Sequence, residues 1–152
     1  MNIILSRHGN TFSPGDPVVW AGTTNDLPLV PKGIEQAHKF ANALLIQKIV
    51  PTAIFCSPLQ RTKVYAKTII DDLKLSIDPI VDPRINEIDY GAWTGLTNEQ
   101  IVKRFGESAL KGWDEKCIWP ASSDWGGSET KVKNETNSFI EELSGKYSPS
   151  DT

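Results

Sequence analysis

The first eleven residues limit the fold more than any other stretch. Asn2-Ile3-Ile4-Leu5 is a short apolar run that breaks abruptly into Ser6-Arg7-His8-Gly9-Asn10-Thr11. Such a run suits a buried amino-terminal strand over Asn2–Leu5. A strand ending in Arg-His-Gly carries a cation and an imidazole to its carboxyl edge. Gly9 lets the main chain turn sharply there or approach a ligand closely. In open α/β sheets that edge is where ligands bind.

The rest of the chain alternates strand and helix signals. Phe12–Val30 holds Pro14, Gly15, Pro17, Gly22 and Pro28, has neither periodicity, and reads as a long loop. Loops of that length in compact domains are usually functional. Trp20 within it reads as a lid contact or, by preference, as a plug under the loop. Pro31–Ile49 reads as a helix with Pro31 in its first turn and Ile34, Ala37, Ala41, Leu44 and Leu45 toward a sheet. His38 borders that stripe and reads as structural. Ala53–Cys56 reads as a second strand. Ser57-Pro58-Leu59-Gln60 then looks like a cap, a first-turn proline and a capping box, opening a helix to about Leu73. Ile77–Val81 reads as a third strand. Thr97 with Gln100 makes another capping box before a helix to about Phe105, and Ala109–Lys116 follows as a short helix. Trp119–Gly127 reads as an irregular loop. Ser128 caps a last helix, which Gly145 stops. Strand, helix, strand, helix, strand order argues an α/β fold with a mainly parallel sheet.

Bulk properties narrow the classes of function. A chain of 152 residues favours one domain with a proper core. Its net charge of -3 argues against nucleic-acid or anionic-membrane partners. No apolar run reaches membrane-spanning length, and the amino terminus lacks the pattern of a signal peptide. Cys56 and Cys117 stand apart, which fits a reducing, cytoplasmic setting. No cysteine or histidine cluster has metal-ligand spacing, so neither a metal nor another cofactor is expected.

Arg61 falls in the first turn of the second helix, where the helix dipole prefers an anion by a few tenths to about 1 kcal/mol. A cation there fits a role with the free amide groups in holding an anion. Arg7 and Arg61, both presented at strand ends, suit a doubly charged phosphoryl group bound by forked hydrogen bonds. The neutral nitrogen of His8 between them could be a nucleophile. A carboxylic acid nearby could protonate the departing oxygen. Glu87 and Asp89, alternating with Ile85 and Ile88, are the carboxylates in the charged, aromatic stretch Asp82–Gly95.

These motifs together resemble the histidine phosphatase superfamily, the phosphoglycerate-mutase-like proteins. Arg7-His8-Gly9-Asn10-Thr11 matches its Arg-His-Gly signature, and Ser57-Pro58-Leu59-Gln60-Arg61-Thr62 its Ser-Pro-Leu-x-Arg element. Arg84 to Leu96 matches the segment carrying its general acid. Gly126-Gly127-Ser128-Glu129, Asp26-Leu27-Pro28-Leu29, Gly33 and Gln36-Ala37 also fit, all in family order. The resemblance implies a three-layer α/β/α domain over residues 1–152 with a helical insertion at about 84–127. It implies His8 as phosphorylated nucleophile, Arg7 and Arg61 as phosphoryl-binding groups, and Glu87 as proton donor and then base, with Asp89 as the substitute donor. As donor, Glu87 must be protonated when the leaving group departs, which burial or a neighbouring negative charge would favour. Asn10 and Thr11 would line the phosphate pocket.

Three features depart from the family pattern. Asn10 stands where Glu or Gln is usual, and Thr94 where Glu is often found; both bear on substrate preference. The chain also ends at Asp151-Thr152, where the family continues into a strand with a second active-site histidine. His38, the only other histidine, is in the wrong place for that role. The reading is a carboxyl-terminally incomplete domain, with an uncovered sheet edge and lower stability and activity than a complete one. The implied activity is a phosphomonoester phosphatase acting on a small phosphorylated metabolite. A phosphoglycerate-type mutase is the alternative enzyme. A non-catalytic phospho-ligand binding module is the alternative if the second histidine is absent from the native protein. Oligomeric state and physiological substrate are not set by these residues.

Overall fold

The computed structural model describes residues 1–121 and 124–152. Positions 122 and 123, within the predicted loop Trp119–Gly127, lie outside the described residues. Two short strands, β1 (Phe55–Cys56) and β2 (Ile80–Val81), pair in parallel with Phe55 opposite Ile80 and Cys56 opposite Val81. The Ile80 N–H donates to the Ile54 carbonyl and the Asp82 N–H to the Cys56 carbonyl, both at 2.9 Å. Side chains alternate across such a ladder. Ile54 accordingly packs against a cluster formed by Ala37, Ala41, Leu44, Tyr65 and Ile69. Phe55 meets Phe139 edge-on at 5.3 Å and Tyr147 at 6.2 Å.

That alternation sets the layers. On one side lie α1 (Pro31–Ile46) and α2 (Gln60–Asp72), packed on each other. Ala37 and Ala41 pack with Tyr65 and Ile69 of α2, and these small residues let the two helices approach. Leu44 is buried with them, but Ile34 and Leu45 of the expected stripe are exposed. On the other side lies α5 (Glu129–Lys146), which buries Phe139 and Leu143. The α/β class and the parallel pairing follow the sequence expectation.

The amino-terminal arm and the start of α2 depart from the sequence expectation, and Gly145, expected to stop the last helix, lies within α5. Residues 2–5 form no strand; Ile3, Ile4 and Leu5 are 44 %, 43 % and 89 % exposed. Apolar sequence supplies a strand's faces, but its main chain needs a neighbouring ladder. Among the described residues no strand runs beside this arm, and its main-chain bond to a distant segment goes from the Asn2 N–H to the Asp151 carbonyl (2.8 Å). A cavity of about 360 Å³ separates the arm from β1, lined by Ile3, Leu5, Phe40, Leu44, Phe55 and Phe139 among others. Second, α2 starts at Gln60 with Leu59 as its cap residue and no side-chain cap. Ser57 Oγ instead bonds Thr62 Oγ1 at 2.9 Å. The capping acceptor comes from the long loop: the Gln60 N–H donates to Asp26 Oδ1 at 2.9 Å, and the Gln60 amide side chain donates to the Asp26 carbonyl.

Between β2 and α5 the chain builds a second core. Two 3₁₀ turns (Pro83–Ile85 and Gly91–Trp93) are followed by α3 (Asn98–Phe105) and α4 (Glu107–Lys116). Thr97 and Gln100 make the predicted capping box on α3, and Ser128 caps α5 through the Lys131 N–H. Trp93, Ile101, Leu110 and Trp125 are buried together, with Trp20, Tyr90, Trp113 and Trp119 packed around them. Trp93 is fully buried, 5.3 Å from Trp20 and 5.2 Å from Trp125 in edge-to-face geometry. Trp20 thus plugs the long loop onto this core, and its Nε1–H donates to Asn98 Oδ1 at 2.8 Å. Arg84 ties the start of the segment to α5 through Glu142 (2.7 Å), Ser138 and the Phe139 ring. No helix among the described residues is long and apolar enough to cross a membrane.

Trp93→Ala should lower stability by about 3–5 kcal/mol, a large share of the roughly 5–15 kcal/mol of a whole domain. Urea unfolding followed by circular dichroism measures this. A loss below about 1 kcal/mol would mean that the second core does not support the fold.

Candidate active site

The site is built around a close main-chain crossing. A Cβ on Gly9 would stand 2.2 Å from the Gly33 carbonyl oxygen, and one on Gly33 would stand 2.3 Å from the Asn10 carbonyl oxygen. Neither position admits a side chain unless backbone moves. The Asn10 N–H donates to Gln36 Oε1 (2.7 Å), and the Asn10 carbonyl accepts from the Val30 N–H (3.0 Å). Residues 8–10 are thereby pinned to the first turns of α1.

This pinning sets the chemistry of the half-buried His8. Its Nδ1 lies 2.7 Å from the Gly9 carbonyl oxygen, and the Arg61 Nε–H points at its Nε2 from 3.2 Å. A carbonyl can only accept and a guanidinium can only donate. Nδ1 therefore carries the hydrogen, and Nε2 presents its lone pair. Burial lowers the His8 pKa below its ordinary 6.5, and the Arg61 and Arg7 charges push the same way, against the Gly9 carbonyl and Glu87. The ring is neutral at neutral pH, and its unprotonated nitrogen is Nε2, which accepts from Arg61.

Arg61 is 2 % exposed. Its Nη2 donates to the Gly22 carbonyl (2.8 Å) and its Nη1 to the Asn25 carbonyl (3.3 Å), while Asp26 Oδ1 stands 3.8 Å from Nη1. Each Nη keeps a second N–H that could take an oxyanion. Burial pulls the Arg61 pKa down, and Glu87, Asp26 and Tyr90 oppose it. A guanidinium is not deprotonated in proteins, so Arg61 stays charged at neutral pH. Burying a cation this deeply is tolerated when its donors are satisfied. Three of the amides at the start of α2 already have acceptors. Asp26 takes the Gln60 amide, and the Leu59 carbonyl takes those of Thr62 and Lys63.

Arg7 is exposed and close enough for its charge to act on His8 and Arg61. Glu87 is half-buried on the same side, and its charge bears on both groups. Its Oε1 accepts from the Ile88 N–H at 3.0 Å and from the Tyr90 hydroxyl at 3.3 Å. Asp89, the substitute donor, is engaged elsewhere. Its Oδ1 accepts from the Gly91 N–H, its carbonyl from the Gly127 N–H, and its carboxylate packs on Gly126. Asn10 contributes its main chain to the crossing, and Thr11 is half-buried beside it. His38 is away from this cluster, on Asp72 at 2.6 Å. Among the described residues no three His, Cys, Asp or Glu side chains gather as metal ligands would.

The structure thus brings Arg7, His8, Arg61 and Glu87 together and turns Asp89 away. Sequence reasoning gave no role to the Gly22–Asp26 turn that holds Arg61, or to the Tyr90 hydroxyl. An acid followed by Leu-Pro-Leu in a glycine-rich loop was the available signal for Asp26.

The chain matches the histidine phosphatase superfamily (branch 1) over residues 3–151. It is 30 % identical over 149 residues to phosphoserine phosphatase 1 of Hydrogenobacter thermophilus, covering 97 % of this chain and 66 % of that protein. It is 36 % identical over 115 residues to a 2,3-bisphosphoglycerate-dependent phosphoglycerate mutase of Lactobacillus johnsonii, covering 73 % of this chain and 48 % of the relative. A solved mycobacterial glucosyl-3-phosphoglycerate phosphatase in complex with VO3 superposes with a TM-score of 0.76 at 26 % identity, over 91 % of this chain and 64 % of that one. The chain therefore spans about half to two thirds of the length of these relatives. With the family pattern running from residue 3 to residue 151, and its motif residues meeting at one place in the fold, this chain belongs to the histidine phosphatase superfamily, branch 1.

Proposed function

We propose that this protein is a phosphomonoester phosphatase that hydrolyses a small phosphorylated metabolite through a phosphohistidine on His8. The observation that carries this reading is the fixed tautomer of His8: neutral, with its Nε2 lone pair beside the buried Arg61 guanidinium.

The phosphoryl oxygens bind between Arg7 and the spare N–H groups of Arg61. His8 Nε2 attacks phosphorus, the bond to the leaving oxygen breaks, and Glu87 gives that oxygen its proton. Water then attacks the phosphorus, Glu87 takes the water proton, and the N–P bond breaks to release phosphate. The two arginines stabilise charge on the transferring group in both steps. Asn10 and Thr11 line the rim of the phosphate site. The match to a named phosphatase along nearly the whole chain, against a shorter match to a mutase, supports hydrolysis over phosphoryl return. The unpaired Cys56 and Cys117 support a cytoplasmic setting.

His8→Ala should reduce turnover of phosphomonoesters by at least about 10³-fold and abolish acid-labile labelling by a radioactive phosphoryl donor. Equal activity in the variant and the wild type would remove His8 as nucleophile.

The lowered pKa of His8 also has a definite sign. The reactive form is neutral, and it persists as pH falls below 6.5 until the depressed folded-state pKa is reached. The acid limb of kcat/KM, corrected for substrate ionisation, should therefore lie below pH 6.5. A limb above that value would contradict the assignment.

A further inference from the structure

We propose that Tyr90 is a positioning residue that holds the Glu87 carboxyl by one oxygen, so that its acidic proton sits on the other. This rests on Glu87 being the proton donor proposed above. Glu87 Oε1 receives two donors, the Ile88 N–H (3.0 Å) and the Tyr90 hydroxyl (3.3 Å). An oxygen accepting from two donors is a poor place for a proton, so a neutral Glu87 carries its hydrogen on Oε2. No described residue bonds Oε2. Oε1 is the anchored oxygen, and Oε2 is the one that gives its proton to the leaving oxygen and later takes one from water.

The phenol is well suited to this work because its own position is fixed. The Tyr90 ring stands edge-on to Trp20 and to Trp125, each at 4.9 Å. It also lies against Gly22, where a Cβ would come within 3.0 Å of the ring carbon Cδ2. The Gly22 carbonyl is the one that accepts from Arg61 Nη2. One ring therefore touches both the turn that holds the cation and the carboxyl that supplies the proton. The hydroxyl remains a donor across the working range, since burial, Glu87 and the hydrogen bond raise its pKa. Holding a general acid in line matters most when the leaving group is a poor one, since an alkoxide needs its proton and a nitrophenolate does not.

The test compares kcat/KM for glycerol 2-phosphate and for 4-nitrophenyl phosphate in four proteins: wild type, Tyr90→Phe, Glu87→Gln and the double variant. The phenylalanine keeps the ring in its aromatic setting, and thermal unfolding checks that it does. In Tyr90→Phe the ratio of alkyl to aryl kcat/KM should fall about tenfold. In the double variant the second change should alter the Glu87→Gln ratio by less than about twofold. A Tyr90→Phe ratio equal to wild type, with Glu87→Gln still depressed, overturns the positioning role alone. So does a full additive loss in the double variant, which would mark Tyr90 as acting apart from Glu87. A Glu87→Gln ratio equal to wild type, or no turnover of either ester by the wild type, overturns the proton-donor reading and the Tyr90 role with it.

Discussion

The buried guanidinium of Arg61 is the contact on which the rest of the site depends. A cation removed from water is costly unless nearly all its donors find partners. Here the partners are main-chain carbonyls of a single turn, Gly22 and Asn25, with Asp26 beside them and the imidazole of His8 in front. The long loop is thus no loose connector. It is folded around one side chain of α2, and the same loop supplies the carboxylate that caps α2. Removing the cation would leave the Gly22 carbonyl without its donor and Asp26 without its neighbouring positive charge. The loop, the helix start and the imidazole are one electrostatic unit.

A second consequence concerns how the two cores cooperate. The first, between α1 and α2, joins the helix on which the His8 segment is pinned to the helix that carries Arg61. The second, rich in tryptophan, fixes Glu87 through Ile88 and Tyr90. The two halves meet at Gly22, which packs under Tyr90 and gives its carbonyl to Arg61. Acid and cation are therefore registered against each other by one glycine at φ +60°, a backbone conformation that favours glycine.

Much of the candidate site was legible in the sequence because its candidate residues sit in short local motifs. Arg7-His8-Gly9, Arg61 after Ser57-Pro58, and Glu87 in its charged, aromatic stretch could each be read in place. The helix starts at Thr97 and Ser128 were legible for the same reason, since their capping partners lie three residues away. What was hidden depends on pairs far apart in the chain. Ser57 looked like the cap of α2, yet Asp26 holds that amide from 34 residues upstream. Residues 2–5 looked like a strand, yet a strand is a property of neighbours as much as of its own side chains. Asp89 stood in the sequence as the substitute for Glu87, and only the fold turns it toward Gly126 while the Glu87 charge bears on His8.

The crossing of Gly9 over Gly33 carries a lesson about heredity. The group that fixes the hydrogen on the imidazole is a peptide oxygen, which every residue type possesses. No single codon change can delete it, as one could delete an aspartate serving the same purpose. The ring's protonation address is written into the path of the chain itself, and drift in the surrounding side chains leaves it untouched as long as those two bare α-carbons stay in touch.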